Sequence, residues 1–576
     1  MWASNITSHL RLTNSLNNSV NHKTTDMKNT KYLYILLITV LLVGSCKQEP
    51  IVPEPPVVVT PDPITGTKGS ADFSKFIAIG NSFVAGVQGG ALFTEGQTNS
   101  LPAIMAKQFA ISGVGGGAFV QPDIKATLGY NLFITPNPGT DNKVQGRLLL
   151  QNGTTPDCST GKISPRPTAQ KYDVGVLEAV PNPSLNPAFI YTGGKASLNN
   201  FGVPAITLGQ ALITATGNWA VPNPAVGFSP FYARLAAPPG GTTTIIGDAA
   251  AGQGTFFMFW LGLDDFFLHA AFGGDPTKAP LTSSGAFAGQ YAAAVGALLN
   301  SSANLKGVVG NFPDIFVMPH FTSVSYNPIP LDAATATAVS TGFAGYNAAL
   351  DGLLANAATF GINDALKAEI GTRKVTFTAS CTNKILITDE TLTDLGPYFD
   401  GLKGAGAITT EQRTALTPYQ KVRQTTATDV VPLGTGSVLG TLVGGDPTKV
   451  NGVTVPLGDN GVLIPSEITA IKAARDAFNT SIKDYVTANS TRLALADVSA
   501  AFATLVTSKA AVYNGVTITP SLAPPTGMYS EDGVHPNSRG YAFISRVFIA
   551  AINEKFGATV PLTDISQYKG TGLPIP

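Results

Sequence analysis

Cysteine is scarce in this chain. Three cysteines in 576 residues, Cys46, Cys158 and Cys381, are far too few for a fold held together by disulfides. Whether Cys158 and Cys381 pair is left open by the sequence. Charge is also thin: charged residues make up 12% of the chain, and 36 Lys+Arg balance 36 Asp+Glu. No net field therefore draws the protein to nucleic acid or to an anionic surface. Histidine is rarer still, with five in all, which leaves few places for a base. No internal repeat is evident. What is plentiful is apolar and turn-forming: 44% hydrophobic residues with 61 glycines and 41 prolines. That composition supports a sizeable core threaded by many loops, in a Thr/Ala/Asn/Gly texture that suits an exported protein.

The N-terminal region is organised as an address. Residues 1–26 read as a mis-assigned leader. Met27-Lys28-Asn29-Thr30-Lys31 is a short basic stretch, followed by the apolar run YLYILLITVLLVG. That run is too short to span a bilayer comfortably and suits the core of a signal peptide, residues 27–45. Its ending, Val43-Gly44-Ser45-Cys46, resembles a bacterial lipobox, in which Cys46 is lipidated and becomes the first mature residue. An uncleaved anchor helix is the alternative. Either way, the body of the protein is expected outside the cytoplasm, anchored to the cell envelope, at the outer rather than the inner membrane. Lys47 to Ser70 is rich in proline and cannot pack a core, so residues 46–70 read as lipidated cysteine plus spacer.

From Ala71 the pattern changes. Phe76-Ile77-Ala78-Ile79 reads as a buried strand, and Ser100-Leu101-Pro102 opens a helix with Leu101, Ile104, Met105 and Phe109 on one face. Thr255 to Leu261 is a continuous apolar run, as expected of a strand covered on both faces. Further helices are predicted around Phe287–Leu298, around Val339–Leu354, and from Pro465 through Ile468, Ile471, Phe478, Ile482 and Tyr485. Gly307-Val308-Val309, Ile315-Phe316-Val317 and Leu493–Val498 read as β segments. Strands alternating with helices of this length predict an α/β fold: a parallel sheet with helices on both faces, three layers in all. Two loop-rich insertions interrupt it, at about 115–195, which includes strand-like Gly146–Leu150, and at about 390–460.

A parallel sheet builds its sites at the C-terminal ends of its strands. Ser82, in Gly80-Asn81-Ser82-Phe83, follows such an end. A serine hydroxyl needs a histidine to take its proton and a carboxylate to orient that histidine. His9 and His22 lie in or near the leader, which leaves His269, His320 and His535. His535 has the best setting: in Asp532-Gly533-Val534-His535-Pro536-Asn537, one tight loop can present a carboxylate and an imidazole together. His269 reads as a helix-face residue, and His320 as a candidate for the pocket wall. Asp264-Asp265 as a metal pair lacks further ligands nearby, so no metal or cofactor is expected.

Gly80-Asn81-Ser82-Phe83 and Asp532 to Asn537 resemble the first and last blocks of the SGNH/GDSL hydrolase family, in the lipoprotein type with long insertions. Asn200-Phe201-Gly202-Val203-Pro204 is similar to the second block, and Trp260-Leu261-Gly262-Leu263-Asp264-Asp265 to the third. The four occur in the family's order across nearly the whole folded part. The resemblance implies a flavodoxin-like three-layer domain over 71–576, with Ser82 as nucleophile, His535 as general base and Asp532 orienting it. It also implies an oxyanion hole from the backbone N–H groups of Ser82 and Gly202 and from the position of Asp264. Two residues depart from the family pattern: Asn81 replaces an aspartate, and Asp264 replaces the asparagine of the oxyanion hole. An ionised carboxylate can only accept, and it repels an oxyanion. Losing one such donor costs about 3–4 kcal/mol. The expected function is hydrolysis of carboxylic esters, glycan O-acetyl or short to medium acyl, through an acyl-enzyme without a cofactor. The alternative is an impaired scaffold that binds glycan or another ligand at the cell surface.

Overall fold

The structure, a computed structural model, describes residues 64–573 except 135, 154–156, 159, 177, 179 and 237–239. The leader, the signal segment, Cys46 and most of the linker lie outside the described residues. The centre is a five-stranded sheet formed by β1 (Phe76–Gly80), β2 (Asn200–Gly202), β3 (Phe256–Trp260), β4 (Lys306–Gly310) and β5 (Leu493–Ala496). Its spatial order is β5-β4-β3-β1-β2, with every neighbouring pair parallel. This is the doubly wound order 2-1-3-4-5, whose crevice opens beside the C-terminal end of β1.

β3 shows why a fully apolar strand belongs in the middle. Its side chains alternate between the two faces, and both faces are covered. Phe256 and Trp260 face the long C-terminal helix: Phe256 meets Phe556 at 5.7 Å between ring centroids, and Trp260 meets Phe548 at the same distance. Phe259 points the other way and meets Tyr291 at 5.5 Å. Helices on the first face are α1 (Ser82–Ala85), a single turn at the end of β1, α2 (Leu101–Phe109), and α6 (Ser538–Phe556). On the second lie α3 (Asp264–Ala271), α4 (Ser284–Ser301) and α5 (Pro465–Ala488). Phe287 of α4 stacks on Phe478 of α5 at 3.9 Å. Ser100 caps α2 by accepting from the Ala103 N–H, as the Ser-Leu-Pro start predicts.

Two excursions leave this body. The first contains an antiparallel hairpin, Lys143–Gln151 with Arg166–Asp173, over a small cluster of Val144, Tyr172 and Val180. The second has a hydrophobic core of its own, running from Ile329 to Ile464. The expected 390–460 stretch is its C-terminal part. The helical periodicity at Val339–Leu354 belongs to two helices, Ala333–Gly342 and Ala344–Ala355, which pack in this second core. Ile315–Val317 is a 3-10 turn and not a strand. Asp314 accepts from the Phe316 N–H and starts the turn, and Pro319 opens a new helix directly after it. Ile468 and Tyr485 of α5 are only half-buried, whereas Ile471, Phe478 and Ile482 are buried. Cys158 of the first excursion is disulfide-bonded to Cys381 of the second.

Candidate active site

β1 ends at Gly80, and Asn81 turns the chain into α1. The Asn81 Oδ1 accepts from the Phe83 N–H at 3.1 Å, so the side chain caps the single turn that begins with Ser82. Ser82 is buried. Its Oγ accepts from the Ala205 N–H at 3.0 Å. Among the described residues nothing accepts from the Ser82 N–H, as expected at the first position of a helix.

The second half of the site is the loop 530–535, held by its own hydrogen bonds. The Ser530 N–H donates to the His535 carbonyl at 2.7 Å, and the Gly533 N–H to the Ser530 carbonyl at 2.9 Å. Gly533 lies in the left-handed region at φ +74°, and a Cβ there would come within 2.8 Å of the His320 nitrogen. Both facts require glycine. Inside the loop, Asp532 Oδ2 lies 2.8 Å from His535 Nδ1. Oδ1 of the same carboxylate accepts from the Val534 and His535 N–H groups at 2.9 and 2.8 Å. Burial alone would push the Asp532 carboxyl up, but the adjacent His535 and these amides outweigh it and hold it below the usual carboxylate range.

The two halves meet. The Gly90 N–H donates to Asp532 Oδ2 at 2.6 Å, and the Gly89 N–H to Ser530 Oγ at 2.9 Å. Phe83, next to Ser82, packs against the His535 ring at 5.2 Å between centroids. On its other side the ring meets Phe133 of the first excursion at 5.8 Å. Phe133 is 45% exposed, so it forms part of the site's rim.

Of the donors expected around Ser82, Gly202 is committed elsewhere. Its N–H donates to Asn200 Oδ1 at 2.8 Å. A Cβ at Gly202 would come within 2.3 Å of the Ala85 nitrogen, so its glycine is explained by the close approach of β2 to α1. The N–H that reaches Ser82 Oγ belongs to Ala205, three residues on, whose backbone is left-handed at φ +51°. Sequence reasoning missed Ala205 because it looked for a glycine. The available signal was the Pro204 turn just after β2.

Asp264, at the start of α3, is buried and accepts from Asn81 Nδ2 at 2.5 Å. Burial, reinforced by neighbouring Asp265, pushes its pKa up to about 7 against the Asn81 hydrogen bond and nearby His535. Asp265 faces away: its carboxylate accepts from the Leu208 N–H at 2.7 Å and the Thr282 hydroxyl at 2.9 Å. Burial also raises Asp265, to about 6. The two carboxylates thus serve different partners. Asp265 pins the segment that carries Ala205, and Asp264 is tied to the residue preceding Ser82.

His269 is buried in α3 with Nδ1 on the Ala279 carbonyl at 2.7 Å, a structural contact as expected of a helix-face residue. His320 lies against the 530–535 loop, its N–H donating to the Gly533 carbonyl at 3.0 Å. The residue is partly exposed, but its Nε2 is sealed and has no hydrogen-bond partner among the described residues, and burial lowers its pKa to about 4. Among the described residues, three carboxylates gather on another part of the chain, Glu390, Asp459 and Glu467.

No family model, curated protein or solved structure matches this chain. The functional reading therefore rests on the chain's own residues.

Proposed function

We propose that this chain is a serine hydrolase of carboxylic esters, built on the SGNH pattern and anchored to the cell envelope through Cys46. The observation that carries the reading is the Asp532–His535 hydrogen bond, in a loop joined to the segment after Ser82 by the Gly90 N–H. With Nδ1 donating to Asp532, the His535 Nε2 holds the lone pair that a general base needs. Ser82 Oγ would attack the ester carbonyl while His535 takes its proton. The same proton then goes to the departing alkoxide, leaving an acyl-serine that water hydrolyses by the reverse sequence.

The tetrahedral intermediate needs donors. The free Ser82 N–H and the Ala205 N–H, already directed at the serine oxygen, supply two. Asp264 becomes a third donor when it is protonated, which a pKa of about 7 permits for much of the population in neutral solution. Once ionised it would oppose the oxyanion, and this favours a second reading, a surface lipoprotein that retains the scaffold and binds a glycan ester without turning it over. The substrate would be a glycan O-acetyl or a short to medium acyl ester, with no metal or cofactor involved.

A chromogenic acetyl ester separates the two readings. Ser82→Ala should lower turnover about a thousandfold or more, to the background set by binding and the remaining donors. Turnover that survives in Ser82→Ala would refute the serine mechanism. Absence of turnover in the wild type at pH 6, with ester binding retained, would leave the binding reading.

A further inference from the structure

We infer that the cleft bounded by Phe93–Thr98, Lys125–Thr127 and Arg147 binds an anionic group, a carboxylate or a phosphate, carried by a polar ligand the size of a sugar. The cleft has a volume of about 480 Å3, enough for a monosaccharide. Among the described residues, neither of its two cations donates a side-chain hydrogen bond. Arg147 lies with its guanidinium 4.5 Å from the centre of the Phe93 ring, an arrangement that fixes the group yet leaves its in-plane N–H donors available. Its Nε is shielded from solvent and has no hydrogen-bond partner. Among the described residues neither Arg147 nor Lys125 forms an ion pair. Nε being sealed, an anion in the cleft would meet the guanidinium through its terminal nitrogens, which make no hydrogen bond among the described residues.

Two of the cleft's hydroxyls are already engaged. The Thr94 hydroxyl donates to Asp123 at 2.8 Å, and the Thr98 hydroxyl to the Thr94 carbonyl at 2.9 Å. Glu95, the carboxylate among the described lining residues, pairs with Lys569 at 3.2 Å, and Glu178 lies beside the lining, accepting from the Thr127 N–H. The side-chain donors left for a ligand among the described lining residues are the two cations and the Thr127 hydroxyl, so charge dominates recognition. Arg147 also adjoins the candidate active site: the next residue, Leu148, donates its N–H to the Gly89 carbonyl at 2.7 Å, and buried Glu531 of the 530–535 loop feels its charge. An acidic group held here would anchor a ligand beside that loop.

The test is calorimetric titration of the full-length protein in detergent at low salt with glucuronate, inorganic phosphate and glucose. Saturable binding of glucuronate or phosphate without glucose is expected, and which of the two binds tells carboxylate from phosphate. Arg147→Met should weaken that binding about tenfold or more, and Lys125→Gln by about threefold or more. No saturable binding of either anion, equal binding of glucose, or wild-type affinity in either variant overturns the proposal. Lys125 is exposed, so its variant decides the matter if Arg147→Met fails to fold. Ester hydrolysis is not part of the readout, so this inference and the proposed function fail independently.

Discussion

On the proposed mechanism, Asp264 would link the protonation state of one carboxyl to both rate and stability. Its neutral form would be a donor at the oxyanion and its ionised form a repulsive charge, so turnover should fall as pH rises through about 7. In Asp264→Asn the amide is a donor at every pH, and Asn81 Nδ2 can still donate to the new carbonyl oxygen. At pH 8 the variant should therefore exceed the wild type by about tenfold, with near-equal rates at pH 6, read from pH–rate profiles of both proteins. A wild-type profile that stays flat from pH 6 to 9 would rule this role out. Ala205 offers a second residue-scale test. A side chain held at φ +51° is strained by about 1 kcal/mol relative to glycine, so Ala205→Gly should stabilise the fold by about that amount in urea unfolding while keeping the N–H on Ser82. Ser82, Asp532 and His535 were readable as candidates because few histidines exist and a D-x-x-H loop can present both partners. Ala205 was not, because a backbone donor leaves no signature in residue type. The Asn81–Asp264 hydrogen bond was equally hidden, since it joins two positions that sequence presents only as separate departures from a pattern.

At the scale of elements, apolar runs were the reliable guide. The uninterrupted FFMFW of β3 predicts a strand covered on both faces, and the rings of Phe556 and Tyr291 cover it. Periodicity could not say which core a helix serves. Tyr346 and Leu350 recur at helical spacing as regularly as Phe287 and Tyr291, yet they pack in the second core. Ile315-Phe316-Val317 misled for a related reason: three apolar residues suit a strand or a turn, and the flanking Asp314 and Pro319 decide for the turn. The Cys158–Cys381 bond was beyond sequence because its partners sit 223 residues apart. It joins the two excursions, so reducing it should loosen these without dissolving the central sheet. A loss of about 2–4 kcal/mol is expected on replacing both cysteines by serine, followed by chemical denaturation. Equal stability of the oxidised protein and the double variant would mean the bridge adds nothing.

For the molecule as a whole, buried acids set how stability responds to pH. Asp264, Glu531 and Glu467 are raised to about 7, 7 and 8, in each case chiefly by burial, and Asp265 to about 6. A carboxyl raised in the folded state holds protons that the unfolded chain has already released. Its stabilisation is complete below the ordinary carboxylate pKa and is lost as pH climbs through the folded value. Thermal unfolding should therefore move to lower temperature between pH 5 and pH 8. Glu467→Gln should reduce that slope, because the amide oxygen can still accept from the Ile464 N–H, a contact Glu467 makes at 2.8 Å. A melting temperature that rises over this interval would contradict the assignment.

The hydrogen bond from the Gly90 N–H to Asp532 joins residues 442 apart in sequence. A ribosome finishes β1 and the serine turn long before it makes the loop that carries Asp532 and His535. Until then the proposed nucleophile, Ser82, would be an ordinary alcohol, whatever esters surround it. On the proposed mechanism, reactivity would thus be withheld by the order of synthesis until the chain is long enough to seat α6 on the sheet. A nascent or broken copy that stops short of Tyr529 would carry Ser82 without Asp532 and His535 and is expected to be inert.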